Sequence, residues 1–304
     1  MGVLIRGAEQ LLLHSEKIAL RFHIPDFIIG ATLIAFGTSL PELATAVVAS
    51  YNHKDDIAIA NVIGSNILNI TLVLASVFLL LKKVQKDKDF FVEDSIWALI
   101  PVLIFILMLL DGIISRFDAL LLIILIGAYI FFLFQGKKEM PKEELNKLKN
   151  EPFSWITTIP MIFISFLLVI IGSYFTVESA SQIAHQFKIS EWIISIILIS
   201  FGTSLPELVI SITSTIKGKV EIAIGNIIGS NIANMTIVLG LSALTNPLKI
   251  DASLYLFDIF TLVISSFFLI FITAKKLYSK SIGVALLILL ALFLNHTVNQ
   301  MSAF

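Results

Sequence analysis

Two glutamates stand out because of the company they keep. Glu42 and Glu207 each lie within an apolar stretch, and each closes the same six residues, GTSLPE, at 37–42 and again at 202–207. In helical register Thr38 and Ser39 fall four and three residues before Glu42, which puts all three on one face. Thr203, Ser204 and Glu207 repeat the arrangement. Pro41 and Pro206 each remove a backbone donor and crowd the carbonyl four residues earlier, that of Gly37 and Gly202, so both helices are expected to break or kink. Carbonyls freed in this way are neutral oxygen ligands that suit hard cations. A second polar block follows each motif: Asn61, Ser65 and Asn69 step by four, as do Asn226, Ser230 and Asn234. Each half thus offers one carboxylate, hydroxyls and amide oxygens. The chain has no cysteine and neither block holds a histidine, so this donor set favours Ca²⁺ or Na⁺ over zinc or copper. Two bare carboxylates brought together would repel, and a divalent cation would balance them.

The elements that must position these residues read as membrane helices. Hydrophobic residues make up 57% of the 304, charged residues 14%, and the mean hydropathy is +0.96. The apolar residues fall in blocks long enough to cross a bilayer, which takes about 20 residues as a helix. Ten spans are expected, at 1–20, 25–50, 57–81, 95–110, 116–136, 155–185, 190–216, 221–245, 252–274 and 281–299. Runs such as ALIPVLIFILMLL (98–110) do not alternate as barrel strands would. Arg21 and the loops at 82–88, 137–149, 217–219 and 275–280 carry fifteen Lys and Arg, against four at Lys54, Arg116, Lys188 and Lys249. Positive charge marks cytoplasmic loops, so a plasma (inner) membrane protein with both termini extracytoplasmic is expected. A net charge of −1 gives no reason to expect nucleic acid, and no obligatory protein partner is evident.

The chain is also a duplication. FIIGATLIAFGTSLPEL (27–43) aligns with WIISIILISFGTSLPEL (192–208), and IAIANVIGSNILNITLVL (57–74) with IAIGNIIGSNIANMTIVL (222–239), both at an offset of 165. Five spans per half is odd, so the second half should enter the membrane with reversed polarity. That is the inverted repeat of secondary transporters, with the site near the midplane. The expected organisation is a first five-helix repeat over 1–136, a polar cytoplasmic linker over 137–154 and a second repeat over 155–304. Span one lacks a counterpart to 155–165 and carries Arg6. Two readings follow: a start upstream of Met1 in the natural chain or its ancestor, or a short tilted helix with Arg6 snorkelling outward.

The paired GTSLPE motifs, each followed by a GSN-x-x-N block, resemble the α-repeats of the cation/calcium exchanger superfamily, and most of all its prokaryotic sodium/calcium exchangers. The resemblance implies that Glu42 and Glu207 hold Ca²⁺ with the backbone carbonyls of Thr38 and Thr203. It further implies overlapping Na⁺ sites at Ser39, Ser65 and Asn69, with Ser204, Ser230 and Asn234. Competition for shared ligands would then produce exchange of Na⁺ for Ca²⁺ by alternating access; both ions are substrates, and no cofactor is implied. Relatives often carry Asp where this chain has Asn234, which leaves the stoichiometry and the part played by H⁺ open. A Ca²⁺/H⁺ antiporter on the same scaffold is the alternative. A passive channel fits less well, because both acids come from one chain rather than from a ring of subunits. No hydrolase, nucleophile or phosphoryl-transfer constellation points to an enzyme.

Other polar residues read as structural. Glu93 and Asp258, also matched at 165, lie where helix N-termini favour acids. Glu9 follows Arg6 by three residues and reads as its local ion partner. The five histidines show no ligand spacing.

Overall fold

The computed structural model describes residues 2–81, 92–135, 153–186 and 191–302, with side chains in the helix Glu191–Ile216 described from Phe201 onward. The linker expected at 137–154 therefore lies almost wholly outside the described residues, as do Lys82, Lys83, Lys86, Lys88 and Lys188. The described chain is almost entirely helical: α1 (Gly2–Phe22), α2 (Asp26–Thr38), α3 (Leu40–Tyr51), α4 (Asp55–Leu80), α5 (Val92–Asp111), α6 (Arg116–Gln135), α7 (Trp155–Gln186), α8 (Glu191–Ile216), α9 (Val220–Thr245), α10 (Leu256–Ala274) and α11 (Lys280–Ser302). One two-residue ribbon ties the loop after α5 to the loop after α9, with Ile113 opposite Lys249 and Ile114 opposite Leu248, antiparallel.

Seven of these helices, α4, α5, α6, α7, α9, α10 and α11, are long and apolar enough to cross a membrane, and α2 with α3 makes an eighth if that bent pair is one span. Helix α1 is long enough but carries Arg6, Glu9, Glu16, Lys17 and Arg21. Arg6 pairs with Glu9 at 3.3 Å, as its spacing suggests.

Burial sorts the helices. The apolar windows of α4 and α9 are 83% enclosed, against 22–50% for the other five. Helices α4 and α9, which carry the GSN blocks, thus form the centre, and the others present large side chains outward. Leu107, Ile124, Phe131, Phe163, Phe267 and Ile288 are all exposed, as a lipid-facing surface requires.

Close helix approach depends on small residues. A Cβ at Gly229 of α9 would lie 2.4 Å from the carbonyl oxygen of Ala31, so α2 and α9 meet backbone to backbone. At Gly172 of α7 a Cβ would lie 2.7 Å from the backbone nitrogen of Leu4, which seats α1 on α7 in the same way. At one end, Lys219 in the turn between α8 and α9 pairs with Glu16 of α1 at 2.6 Å and Asp26 of α2 at 3.1 Å.

The two proline motifs differ in shape. At the first, the chain bends by 43° between α2 and α3, with Ser39 out of helical conformation (φ −81°, ψ 5°) and Pro41 in the opening turn of α3. There the missing N–H costs nothing, because the opening donors of a helix have no partner within it. At the second, α8 runs unbroken from Glu191 to Ile216 with Pro206 inside. The chain is therefore broken at Pro41, whereas at Pro206 the helix continues through the proline.

Candidate functional site

Both glutamates are fully buried at the middle of the bundle, Glu42 in the first turn of α3 and Glu207 immediately after Pro206 in α8. The other eight residues singled out from the sequence, Thr38, Ser39, Ser65, Asn69, Thr203, Ser204, Ser230 and Asn234, are buried as well. A buried polar side chain in such surroundings is costly without partners, and several of the partners here come from the opposite half of the chain.

Thr38 Oγ1 donates to Asn226 Oδ1 at 3.2 Å and lies 3.3 Å from Ser230 Oγ. In the mirror arrangement Thr203 Oγ1 donates to Asn61 Oδ1 at 3.4 Å and lies 3.3 Å from Ser65 Oγ. Each of these pairs maps onto the other at the offset of 165. The motif of each half is thus read by the polar block of the other.

Around the carboxylates the likeness ends. Ser39 Oγ donates to Glu207 Oε1 at 3.3 Å, and Ser230 Oγ donates to the same oxygen at 3.4 Å. Glu42 has no equivalent. Its backbone carbonyl accepts from Asn61 Nδ2 at 3.1 Å, but among the described residues neither carboxylate oxygen has a hydrogen-bond partner. The hydroxyls of Thr203 and Ser65 lie near it without bonding geometry. Glu207 Oε2, Ser204 Oγ and both amide atoms of Asn69 and Asn234 are also buried without partners among the described residues.

That set has a definite chemistry. It is rich in oxygen, carries two carboxylates, and among the described residues no Lys, Arg or His forms an ion pair with either. Leaving a buried oxygen unsatisfied costs about 1–3 kcal/mol, and more when it is charged. A desolvated cation such as Ca²⁺, which takes about six to eight oxygens, removes that cost at several atoms together. No cluster of three or more His, Cys, Asp or Glu occurs among the described residues, so the donors match a hard cation better than a transition metal.

The backbone contributes to the same place. Asn69 and Asn234 each open a π-helical stretch, Asn69–Leu74 and Asn234–Val238, within α4 and α9. A π turn widens the helix and shifts the side chains that follow, and such turns gather at functional sites. The sequence carries no proline or glycine there to announce it. Asn61 and Asn226 share the site too; their four-residue step ahead of Ser65 and Ser230 is the signal for them. An apolar groove beside Pro41, lined by Leu40, Val47, Ile170 and Leu241 among others, includes none of the ten residues singled out above in its lining.

The chain is similar to known proteins along nearly its whole length. Residues 1–135 and 157–298 match the family described as sodium/calcium exchanger protein. The sodium/calcium exchanger MaX1 of Methanosarcina acetivorans is 31% identical over 96% of this chain and 94% of its own length. The inner membrane protein YrbG of Escherichia coli is 30% identical over 94% and 90%. Among solved structures, the sodium-calcium exchanger NCX_Mj soaked with Na⁺ and Sr²⁺ superposes with a TM-score of 0.81 at 31% identity, covering 96% of this chain and 94% of its own.

Proposed function

Because this chain belongs to the sodium/calcium exchanger protein family, we propose that it is a secondary active antiporter that exchanges Na⁺ for Ca²⁺ at one site shared by its two halves. The observation that carries the reading is the crossed bonding of the motifs, with Ser39 of the first on Glu207 of the second and Thr203 of the second on Asn61 of the first. A site assembled from both halves opens to one side when the halves shift relative to each other, which is the basis of alternating access.

In this account α1, the bent pair α2–α3 and α4 to α11 make ten spans, arranged as two inverted five-helix repeats over 1–136 and 155–304. The lysine-rich linker and loops are cytoplasmic, and both termini are extracytoplasmic. Ca²⁺ takes the Glu42 and Glu207 carboxylates with the carbonyls of Thr38 and Thr203. Na⁺ uses Ser39, Ser65 and Asn69 on one side and Ser204, Ser230 and Asn234 on the other. One Ca²⁺ neutralises two ionised glutamates, whereas three Na⁺ overcharge the site by one. Asn69 and Asn234 are both neutral amides, so two Na⁺, or one Na⁺ with a proton in place of the second, balance the two carboxylates better.

That same charge balance favours Ca²⁺/H⁺ exchange as the second reading, since the unpartnered Glu42 carboxylate is able to take a proton. The two are separated by Ca²⁺ uptake into proteoliposomes loaded with Na⁺, with K⁺, or with a pH gradient alone. Uptake that needs Na⁺ inside supports Na⁺/Ca²⁺ exchange, uptake that follows the pH gradient replaces it with the second reading, and gradient-independent leak removes both.

A further inference from the structure

The two halves hold their first asparagines differently. Asn61 spends its amide N–H on the backbone carbonyl of Glu42, at 3.1 Å. Asn226, its counterpart at the offset of 165, donates instead to the hydroxyl of Ser211, at 3.1 Å. Ser211 is fully buried, lies one helical turn after Glu207, and has Ala46 as its counterpart in the first half. The first half therefore has no hydroxyl at this place.

The orientation of such an amide matters beside a cation. Its oxygen end attracts a cation, and its nitrogen end, carrying two hydrogens, repels one. With Nδ2 on Ser211, the oxygen of Asn226 is turned to Thr38, which donates to it at 3.2 Å. Thr38 also bonds the carbonyl of Ala35 at 3.1 Å, and Ser230 lies 3.3 Å away and reaches on to Glu207. Ser211 thus stands behind a chain of contacts that runs through Asn226 and Thr38 into the candidate ion site, on the side where Glu207 is already bonded.

We propose that Ser211 is a positioning residue for ion binding, acting through Asn226 to keep an amide oxygen rather than an amide nitrogen turned to Thr38 and the Glu207 side of the site. This rests on the proposed cation site and adds a residue that lies outside its ligand set. Without the Ser211 oxygen the Asn226 N–H₂ loses the one acceptor it has among the described residues, and with it the bond that holds the amide in this orientation. Reversal turns the amide hydrogens towards Thr38, the residue whose carbonyl the proposed Ca²⁺ site uses, and so places positive charge beside that site. Ser211→Ala removes one oxygen and leaves the shape of α8 unchanged, so the effect falls on ion affinity rather than on folding.

The test is Ca²⁺ binding to the purified full chain by calorimetry, alongside Ca²⁺ uptake into Na⁺-loaded proteoliposomes, for wild type, Ser211→Ala, Ser211→Thr and Asn226→Ala. Ser211→Ala is expected to weaken Ca²⁺ binding about five- to tenfold, the loss of one hydrogen bond. It should raise the KM by a similar factor with the maximal rate kept, and Ser211→Thr should restore both. In the Asn226→Ala background Ser211→Ala should add nothing, because its effect passes through that amide. Wild-type affinity in Ser211→Ala, an additive loss in the Asn226→Ala background, or a fall in maximal rate with KM unchanged would each overturn this role alone. A wild-type chain that binds no Ca²⁺ would overturn the proposed function and this role with it.

Discussion

Ser39, at the bend between α2 and α3, donates its hydroxyl hydrogen to Glu207 Oε1 of α8 at 3.3 Å, across 168 residues of chain. The counterpart contact, Ser204 to Glu42, is not made: Ser204 Oγ and both Glu42 oxygens are without partners among the described residues. Two motifs of identical sequence thus hold their carboxylates unequally, one accepting from two hydroxyls and the other with hydroxyls near it but outside hydrogen-bonding geometry. The difference follows the backbone, since only the first motif is bent open at its serine.

The unequal serines should have unequal effects. Ser39→Ala removes a hydrogen bond to an ionisable carboxylate, an interaction worth about 1.5–3 kcal/mol, and should raise the KM for Ca²⁺ by roughly tenfold or more. Ser204→Ala, which breaks no bond of this kind, should raise it less. Concentration dependence of Ca²⁺ uptake for the two variants makes the comparison.

The two prolines should also part company. Pro206 lies inside a continuous helix, where proline costs about 3 kcal/mol. Pro206→Ala is therefore expected to raise the melting temperature, and to slow transport if the local distortion serves the cycle. Pro41 lies in the opening turn of α3, where proline is tolerated. Pro41→Ala should leave the melting temperature within a degree or two of wild type. Thermal denaturation in detergent with parallel uptake assays reads both.

Gly229→Ala should be strongly destabilising for so small a change. Its Cβ would meet the Ala31 carbonyl at 2.4 Å, and backbone cannot step aside as a side chain can. Overpacking of this kind costs about 1–3 kcal/mol. Because the same α2–α9 contact brings Thr38 to Ser230, loss of Ca²⁺ binding should accompany the lower melting temperature.

Lys219 lies in the turn between α8 and α9, outside the spans. Burial by itself lowers its affinity for a proton, but Asp26 and Glu16 outweigh that and raise its pKa above the ordinary lysine value. A raised lysine pKa contributes stability that is fully present below the unfolded value and is lost as pH rises through the folded value. Stability from this contact should accordingly be flat through neutral pH and fall only in strongly alkaline solution, above about pH 10. Lys219→Met should cost about 1–2 kcal/mol at neutral pH, between the values for exposed and fully buried pairs. Melting temperatures of wild type and variant across pH 7–11 should converge at the alkaline end.

Much of the site is legible in the residues alone, because a duplication marks its own important positions. A glutamate and its flanking Thr, Ser and Pro, repeated at one offset with the GSN block at the same offset, single out residues that lie buried together, and helical spacing assigns them to shared faces. What the residue types do not convey is everything that depends on the partner half. Pro41 and Pro206 sit in identical hexapeptides, yet one ends a helix and the other does not, so the difference lies in tertiary packing rather than in propensity. The π turns at Asn69 and Asn234 leave no compositional trace. Ser211 has no mark except being unmatched by Ala46, and a repeat draws the eye to what matches. At α5, Glu93 matches at the offset, yet it is Asp94, unmatched, that is buried, since one residue of helix turns a side chain by about 100°.

The central claim is that Glu42 and Glu207 form one site and neither works alone. The most direct test is Ca²⁺ uptake into Na⁺-loaded proteoliposomes for Glu42→Gln, Glu207→Gln and the double variant, each checked for a wild-type melting profile. This account predicts that each single variant loses Na⁺-dependent uptake as completely as the double, because a divalent ion held by both carboxylates is not retained by one. Uptake surviving in either single variant at near the wild-type rate, or losses that simply add, would contradict it.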